Sequence, residues 1–296
     1  MIDTVIPDKN GRLYINGLKN HVKPFHLMPD PDNAEMALTN VIGNTNSQPM
    51  TMSQEGPFQG MSLIAESDLF TLGADHGCLV ELQDAGSLKP LMNRPCHMNC
   101  VFGTPNFPMV LPEHLFMDEF RALQITLQQA TALANNIRPQ IAGRRFYPGS
   151  ANSKKMNKFI IKLKKRAIVS LPFFLTNEED NIVLAAGATN SFFFPADPDA
   201  YFEVFKMTHF SYDTTLATPT GTFDFELRDA ETERRLSNGL MSTQLNLGTA
   251  LQPYVFAESW LIPPRMRIEM RVTNTTAAGA NALLAYVVLI GRKIYV

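Results

Sequence analysis

The chain has 296 residues, 45% of them hydrophobic and 18% charged, and its 26 Lys and Arg against 28 Asp and Glu leave a net charge of −2. That apolar content excludes a chain dominated by disorder and suffices for two ordinary cores. No uninterrupted apolar stretch reaches the ~18 residues a membrane helix needs, and Met1-Ile2-Asp3-Thr4 lacks the basic and apolar regions of a secretory signal, so a soluble protein folded in a cytoplasm is expected.

In chain order, the first informative element is Pro24-Phe25-x-Leu27 with Asp32-Asn33, because it returns 148 residues later as Pro172-Phe173-x-Leu175 with Asp180-Asn181. Residues 68–131 then align without a gap on 213–276 at an offset of 145, with 13 of 64 positions identical. Asp68/Asp213, Glu81/Glu226, Asp84/Asp229, Asn93/Asn238, Gly103/Gly248, Glu113/Glu258 and Thr131/Thr276 are among the identities. Gly143-Arg144-Arg145-Phe146-Tyr147 closes the unit as Gly291-Arg292-Lys293-Ile294-Tyr295, again at 148. The two shifts of three residues cancel, as loop-length differences would. A period of 148 residues is a domain length rather than a solenoid repeat. The expected organisation is therefore two tandem copies of one domain, 1–148 with an N-terminal arm and 149–296 entered through a basic segment. Residues 1–20 and 149–165 are the least alike and read as arms or frayed ends.

Within each unit the pattern is strand after strand. Residues 201–209 alternate Phe202, Val204 and Lys206 against Tyr201, Glu203, Phe205 and Met207, and Phe223, Phe225 and Leu227 share one face, as do Cys78, Val80 and Leu82. Asp84/Asp229 and Asn93/Asn238 read as turn residues that bond the backbone. Residues 119–134 have some helical propensity, but the aligned copy carries Arg-Val-Thr-Asn-Thr-Thr there, which predicts strand with Leu123, Ile125 and Leu127 inward, matching Met266, Ile268, Met270 and Val272. Residues 283–290 form a continuous apolar run, the signature of a central strand covered on both faces. Its counterpart, residues 135–142, is more polar. Six to eight short strands per unit predict an all-β chain of two tandem homologous β-sandwich, jelly-roll-like domains.

Chemistry is sparse. Cys96-His97-x-x-Cys100 near His76 and Cys78 has a permitted zinc spacing, but no second ligand pair follows, and the aligned positions Phe223, Met241 and Leu245 are apolar, so the three cysteines read as small buried hydrophobes. No histidine is aligned with another; of the shared carboxylates Glu81/Glu226, Asp84/Asp229 and Glu113/Glu258, the first pair reads as outward-facing and the second as turn residues, and no catalytic acid/base pair is expected among them. Gly103-Thr104 and Gly248-Thr249 read as loop geometry. No catalytic residue, cofactor or metal is expected. The one functional candidate is a basic segment without an acidic residue: Arg138, Arg144, Arg145, Lys154, Lys155, Lys158, Lys162, Lys164, Lys165 and Arg166. It could dock an acidic protein surface, bind nucleic-acid phosphates with a steep salt dependence, or protect a solvated strand edge.

The duplicated unit, with its aromatic strand, Asp turn, Gly-Thr loop, Pro-led strand and closing Gly-Arg-basic-apolar-Tyr, resembles the β-sandwich or jelly-roll structural proteins of bacteriophage particles. The resemblance implies a non-enzymatic virion component, a capsid, capsid-decoration or head–tail neck or collar protein, assembled in the host bacterial cytoplasm. Its partners would be copies of itself and other virion proteins, with nucleic acid ranked second and no membrane. Two similar domains in one chain let a ring of n chains offer about 2n equivalent contacts, so that a trimer imitates a hexamer. The alternative is a receptor- or glycan-binding sandwich of a tail or fibre, which exposed tryptophan would favour; the single Trp260 aligns with Leu115 and reads as core.

Overall fold

The computed structural model describes residues 5–7, 13–15, 22–29, 35–53, 56–68, 77–86, 89–117, 121–146, 169–179, 181–213, 223–237, 239–243, 247–275 and 282–295. Of the basic segment, Lys154, Lys155, Lys158, Lys162, Lys164, Lys165 and Arg166 lie outside the described residues, as does the proposed boundary at 148.

The described chain is nearly all β. Strands β1 (Val5–Pro7) and β2 (Leu13–Ile15) pair antiparallel as a separate two-stranded sheet. The first sandwich follows with β3 (Val22–Leu27), β4 (Met36–Leu38), β5 (Thr45–Thr51), β6 (Phe58–Ser67), β7 (Cys78–Asp84), β8 (Cys96–His97), the one-turn helix α1 (Met98–Val101), β9 (Met109–Met117), β10 (Ala122–Gln129) and β11 (Asn135–Phe146). The second comprises β12 (Val169–Thr176), β13 (Ile182–Leu184), β14 (Thr189–Pro195), β15 (Tyr201–Asp213), β16 (Phe223–Asp229), β17 (Met241–Ser242), β18 (Tyr254–Ile262), β19 (Arg267–Asn274) and β20 (Leu283–Tyr295).

One sheet of the first half runs β3-β11-β6-β9, with β4 also on β11, and the facing sheet runs β5-β10-β7-β8; the second half repeats this as β12-β20-β15-β18 with β13, and β14-β19-β16-β17. Apart from β3-β4 and β7-β8, and β12-β13 and β16-β17 in the second half, consecutive strands thus alternate between sheets, the jelly-roll arrangement. Matching glycines show why the sequence motifs coincide. A Cβ on Gly143 would sit 2.0 Å from the Gln59 carbonyl oxygen, and one on Gly291 2.0 Å from that of Glu203, so each closing Gly-Arg motif marks the same close strand approach beside a bulge in the neighbouring strand.

Alternation fills both interiors. Cys78, Val80 and Leu82 of β7 and Leu123, Ile125 and Leu127 of β10 are buried in the first; Phe223, Phe225 and Leu227 of β16 and Ile268, Met270 and Val272 of β19 fill the second. Trp260 packs against the second core and its aligned Leu115 is buried in the first. The expectation for residues 201–209 needs correction. A bulge between Val204 and Lys206 reverses the alternation, so Met207 joins Phe202 and Val204 in the interior and Lys206 turns to the opposite face. A second correction concerns the ungapped alignment: Ser67 faces Ile137 and Ser211 faces Ala285 across their sheets, which puts Asp68 level with Tyr212, not with Asp213.

Candidate functional site

The structure concentrates its long-range polar and aromatic contacts at the seam between the halves. There, the end of the first sandwich formed by residues 91–113 lies against the outer face and the edge of the second half's β12-β20-β15 sheet. The edge is met first. Residues 91–93 run parallel to β12: Phe174 N donates to Leu91 O at 2.9 Å, and Met92 bridges Phe174. Asn93 continues the ladder with its side chain, donating to Thr176 O at 2.9 Å and accepting from Thr176 N at 2.7 Å and its hydroxyl at 3.0 Å. An amide side chain matches a peptide's donor and acceptor, so it closes an edge that would otherwise expose unpaired backbone. Asn93 therefore does bond the backbone, but across the halves.

The face is aromatic. His97, fully buried at the start of α1, stacks on Phe210 with ring centroids 4.3 Å apart and planes at 16°, flanked by Tyr286 at 5.1 Å and Tyr212 at 6.1 Å. Cys100 Sγ donates to Tyr286 O at 3.8 Å, the Thr208 hydroxyl donates to Cys100 O at 2.8 Å, and Ala250 N donates to Asn99 O at 3.0 Å. Phe174, Phe210, Tyr212, Ala250, Tyr286, Val288 and Ile290 thus join the first half's apolar cluster from outside, while the second sandwich keeps an interior of its own. This explains the continuous apolar run of β20. Leu283, Ala285, Val287 and Leu289 face the sandwich interior, and the residues between them face the other half.

The rim is charged. Lys206 Nζ donates to Val110 O at 2.6 Å, and burial pushes the Lys206 pKa down. Arg292 donates to Glu203 of its own half at 2.7 Å and to Glu113 of the other half at 3.0 Å. Burial works against the Arg292 cation, but the two carboxylates outweigh it and raise its pKa. Burial likewise opposes the Glu203 carboxylate, and hydrogen bonds from Ser259 and Arg292 overcome that and hold its pKa below the usual range.

The other sequence candidates are distributed differently. Arg138 is exposed on the outer face of β11 and pairs with Glu35 and, at 3.7 Å, with Glu66. Arg144 is half-buried on β11, next to the edge strand β3, opposite Pro24 of β3 on one side and Gln59 of β6 on the other. Arg145 is 2% exposed, donates to Ser53 O at 3.1 Å and lies 4.8 Å from the centre of the Phe25 ring. These three are not one continuous cationic patch. Cys78, Cys96 and Cys100 are all buried, and Cys78 Sγ donates to Met98 Sδ at 3.4 Å; burial pushes the Cys96 thiol far above its usual range. Among the described residues no three His, Cys, Asp or Glu side chains are grouped to hold a metal ion. Asp229 is a turn residue that accepts from Glu231 N at 2.9 Å, whereas Asp84 is engaged by Arg121 through two bonds of 3.0 and 2.9 Å. Glu226, read as outward, is 5% exposed because Arg235 of the following loop folds over it at 3.0 Å. Among the described residues no helix is long and apolar enough to cross a membrane.

No protein-family model matches the chain, and no curated protein matches it. Solved structures do. N-glycanase F (PNGase F) matches with a TM-score of 0.40 at 6% identity, over 91% of this chain and 95% of that one. VP54 of PBCV-1, whose crystal structure was fitted into a reconstruction of the virophage Sputnik, matches with a TM-score of 0.40 at 8% identity, over 93% and 95%. A triple jelly-roll protein from the turret assembly of an archaeal virus matches with a TM-score of 0.24 at 5% identity, over 90% and 61%. At these scores the matches carry no argument about architecture or activity.

Proposed function

We propose that this chain is a non-enzymatic structural component of a bacteriophage particle, a capsid, capsid-decoration or neck or collar protein, that assembles through repeated contacts between its own copies. The observation that carries the reading is the seam. Two sandwiches of the same strand order are joined head to tail, so that one end of the first half covers one face of the second. This is a heterologous contact, made by two different surfaces, and it leaves the second half's matching end and the first half's matching face at the two extremes of the chain. Heterologous contacts that repeat close into rings or continue as filaments. The buried His97 and Cys100 and the rim pair of Arg292 with Glu113 hold the halves together, which gives these side chains a structural use. Electron microscopy and sedimentation of the purified protein test the proposal: rings, shells or ordered multimers are expected, and a protein that stays monomeric at high concentration and joins no particle would refute it.

A further inference from the structure

We infer that the first half pairs with the first half of a second copy through an uncharged surface, made of the outer face of β5 and β10 and an apolar tip at Val41, Ile42 and Leu133. The inference rests on the self-assembly reading above and adds to it an isologous contact, in which one patch serves both copies. A gap in the charge pattern carries it. Residues 36–54 and 122–137, stretches of 19 and 16 residues, contain no Asp, Glu, Lys, Arg or His, although at the chain average of 18% about six would be charged.

The fold brings the two stretches together, because β5 pairs with β10, Ser47 opposite Thr126 and Pro49 opposite Gln124. Ser47 Oγ lies 2.7 Å from Thr126 Oγ1 and accepts from Gln124 Nε2 at 2.7 Å, so polar side chains satisfy one another along the face. Among the described residues the face meets its first charges at Glu81, one strand further in on β7, and at the Arg121–Asp84 pair where β10 begins. At the other end, Asp68 accepts from Asn136 at 2.8 Å. The tip stands at that end. Gly43 N donates to Gln129 O at 2.9 Å, Gln129 N donates to Asn44 O at 2.8 Å, and the Gln129 side chain donates to Leu133 O, so one buried residue fixes two loops. Val41, Ile42 and Leu133 are held there 61%, 61% and 60% exposed.

The second half shows that the fold requires neither feature. In its equivalent turn Gly187 N donates to Asn274 O at 3.1 Å and Asn274 N to Ala188 O at 2.9 Å, and Ala188 N closes on Ala185 O at 3.0 Å as Asn44 N closes on Val41 O at 3.0 Å. The backbone is the same, yet this turn carries Ala185 and Ala186 where the first half has valine and isoleucine. Likewise Ala122, Gln124 and Thr126 stand where β19 has Arg267, Glu269 and Arg271, and there Arg228 binds Glu269 at 2.6 Å. Charge also identifies the occupant. Nucleic acid and anionic lipid require cations, and the described residues of β5 and β10 offer none. A second copy requires the opposite: near a two-fold axis each residue meets its own image, so a charge would repel itself, and depletion of charge is the mark of an interface core.

The full chain is used for the test. V41A/I42A copies the turn of the second half, so its thermal midpoint is expected to match the wild type while self-association, measured by sedimentation equilibrium, weakens by about tenfold or more. I42E and I42K each weaken it likewise, and mixing the two chains restores it, because only an isologous contact sets position 42 near its own image. If the wild type associates and V41A/I42A associates equally well, this surface is wrong and the self-assembly reading stands. If V41A/I42A weakens association but I42E and I42K do not recover on mixing, the tip meets a different surface and the isologous contact is overturned. Loss of the V41A/I42A chain from neutral phosphatidylcholine vesicles that retain the wild type would assign the tip to lipid instead. If the wild type stays monomeric throughout, both readings fall.

Discussion

Strands β11 and β20 occupy the same place in the two sandwiches, each at the centre of its larger sheet, and they differ almost entirely on one face. Inward, Ile137 and Ile141 correspond to Ala285 and Leu289, all fully buried. Outward, Asn136, Arg138, Gln140 and Ala142 correspond to Leu284, Tyr286, Val288 and Ile290. The inward face answers to the fold, which both halves share. The outward face answers to what lies against it. A face covered by a covalently attached neighbour can be wholly apolar, because the neighbour is always present. An equivalent face that is left exposed carries charge instead.

The strongest way to break this comparison is to exchange the two faces. Tyr286→Arg places the residue of position 138 in the seam, where its guanidinium meets His97 and Phe210 and finds no carboxylate among the residues seen there. An unpaired buried charge costs about 3–5 kcal/mol, and chemical denaturation should show it, with Trp260 fluorescence following the second half. Val288→Gln, the matching exchange one rung along, should cost less, because a buried amide loses hydration but carries no charge. If Tyr286→Arg is neutral, the seam is not a packed interface.

Next in size is a change that should ignore the difference between the halves. Gly143→Ala and Gly291→Ala each push a methyl group to within 2.0 Å of a backbone carbonyl oxygen, and backbone cannot rotate away as a side chain can. Both should destabilise by about 3 kcal/mol, and by similar amounts. Unequal losses would mean that the two sheets are not built alike at this point.

This equality is also where the sequence was most legible. Glycines that a fold requires are retained in both copies, and the alternation of β7, β10, β16 and β19 announces their inward faces. Less legible was anything set by a bulge, because one extra residue reverses every later side chain. That is how Lys206 comes to lie on the seam rather than beside Val204. The seam itself was only half visible. The apolar run of β20 implied cover on both faces without saying what provides it, and Glu113 and Arg292 lie 179 residues apart, a separation that no local pattern can connect. The basic segment was conspicuous as composition, yet its described members divide between an exposed ion-paired face at Arg138 and the buried Arg145. A run of like charges in sequence does not fix which side of a strand each charge takes.

Acid should act more gently, and on both halves, since burial lowers the pKa of His114 in the first as well as of His209 in the second. Burial lowers the His209 pKa, with a bond to the Gly248 carbonyl opposing it in part, so the folded chain keeps this imidazole neutral. The unfolded chain takes up that proton first, and stability should begin to fall as the pH drops below ~6.5. A second decline follows nearer pH 4, because Glu269, held below its usual range chiefly by Arg228, and Glu203 stabilise the fold only while ionised. Denaturation midpoints taken from pH 8 to pH 4 should therefore hold steady to about pH 6.5 and fall below it, and His209→Gln should flatten the first part of that fall. A midpoint that rises on acidification would contradict both assignments.

The smallest effect is expected at Arg138, and its smallness is informative. Arg138 and Glu66 are exposed and Glu35 is half-exposed, so water and salt already screen the pairs. Arg138→Ala should leave the thermal midpoint of the isolated chain unchanged within error. Arg138→Tyr, which copies the seam residue onto the open face, should also leave folding intact while adding apolar surface next to Ala142 and Gln140. Its consequence would appear only between molecules, as lower solubility and association that persists in high salt. The same substitution is thus harmless to the fold and harmful to the soluble chain, whereas its mirror image at position 286 damages the fold directly. Were Arg138→Ala to destabilise the monomer markedly, the outer face of β11 would have to be part of the folded core, and its charge could no longer be attributed to an open, solvated surface.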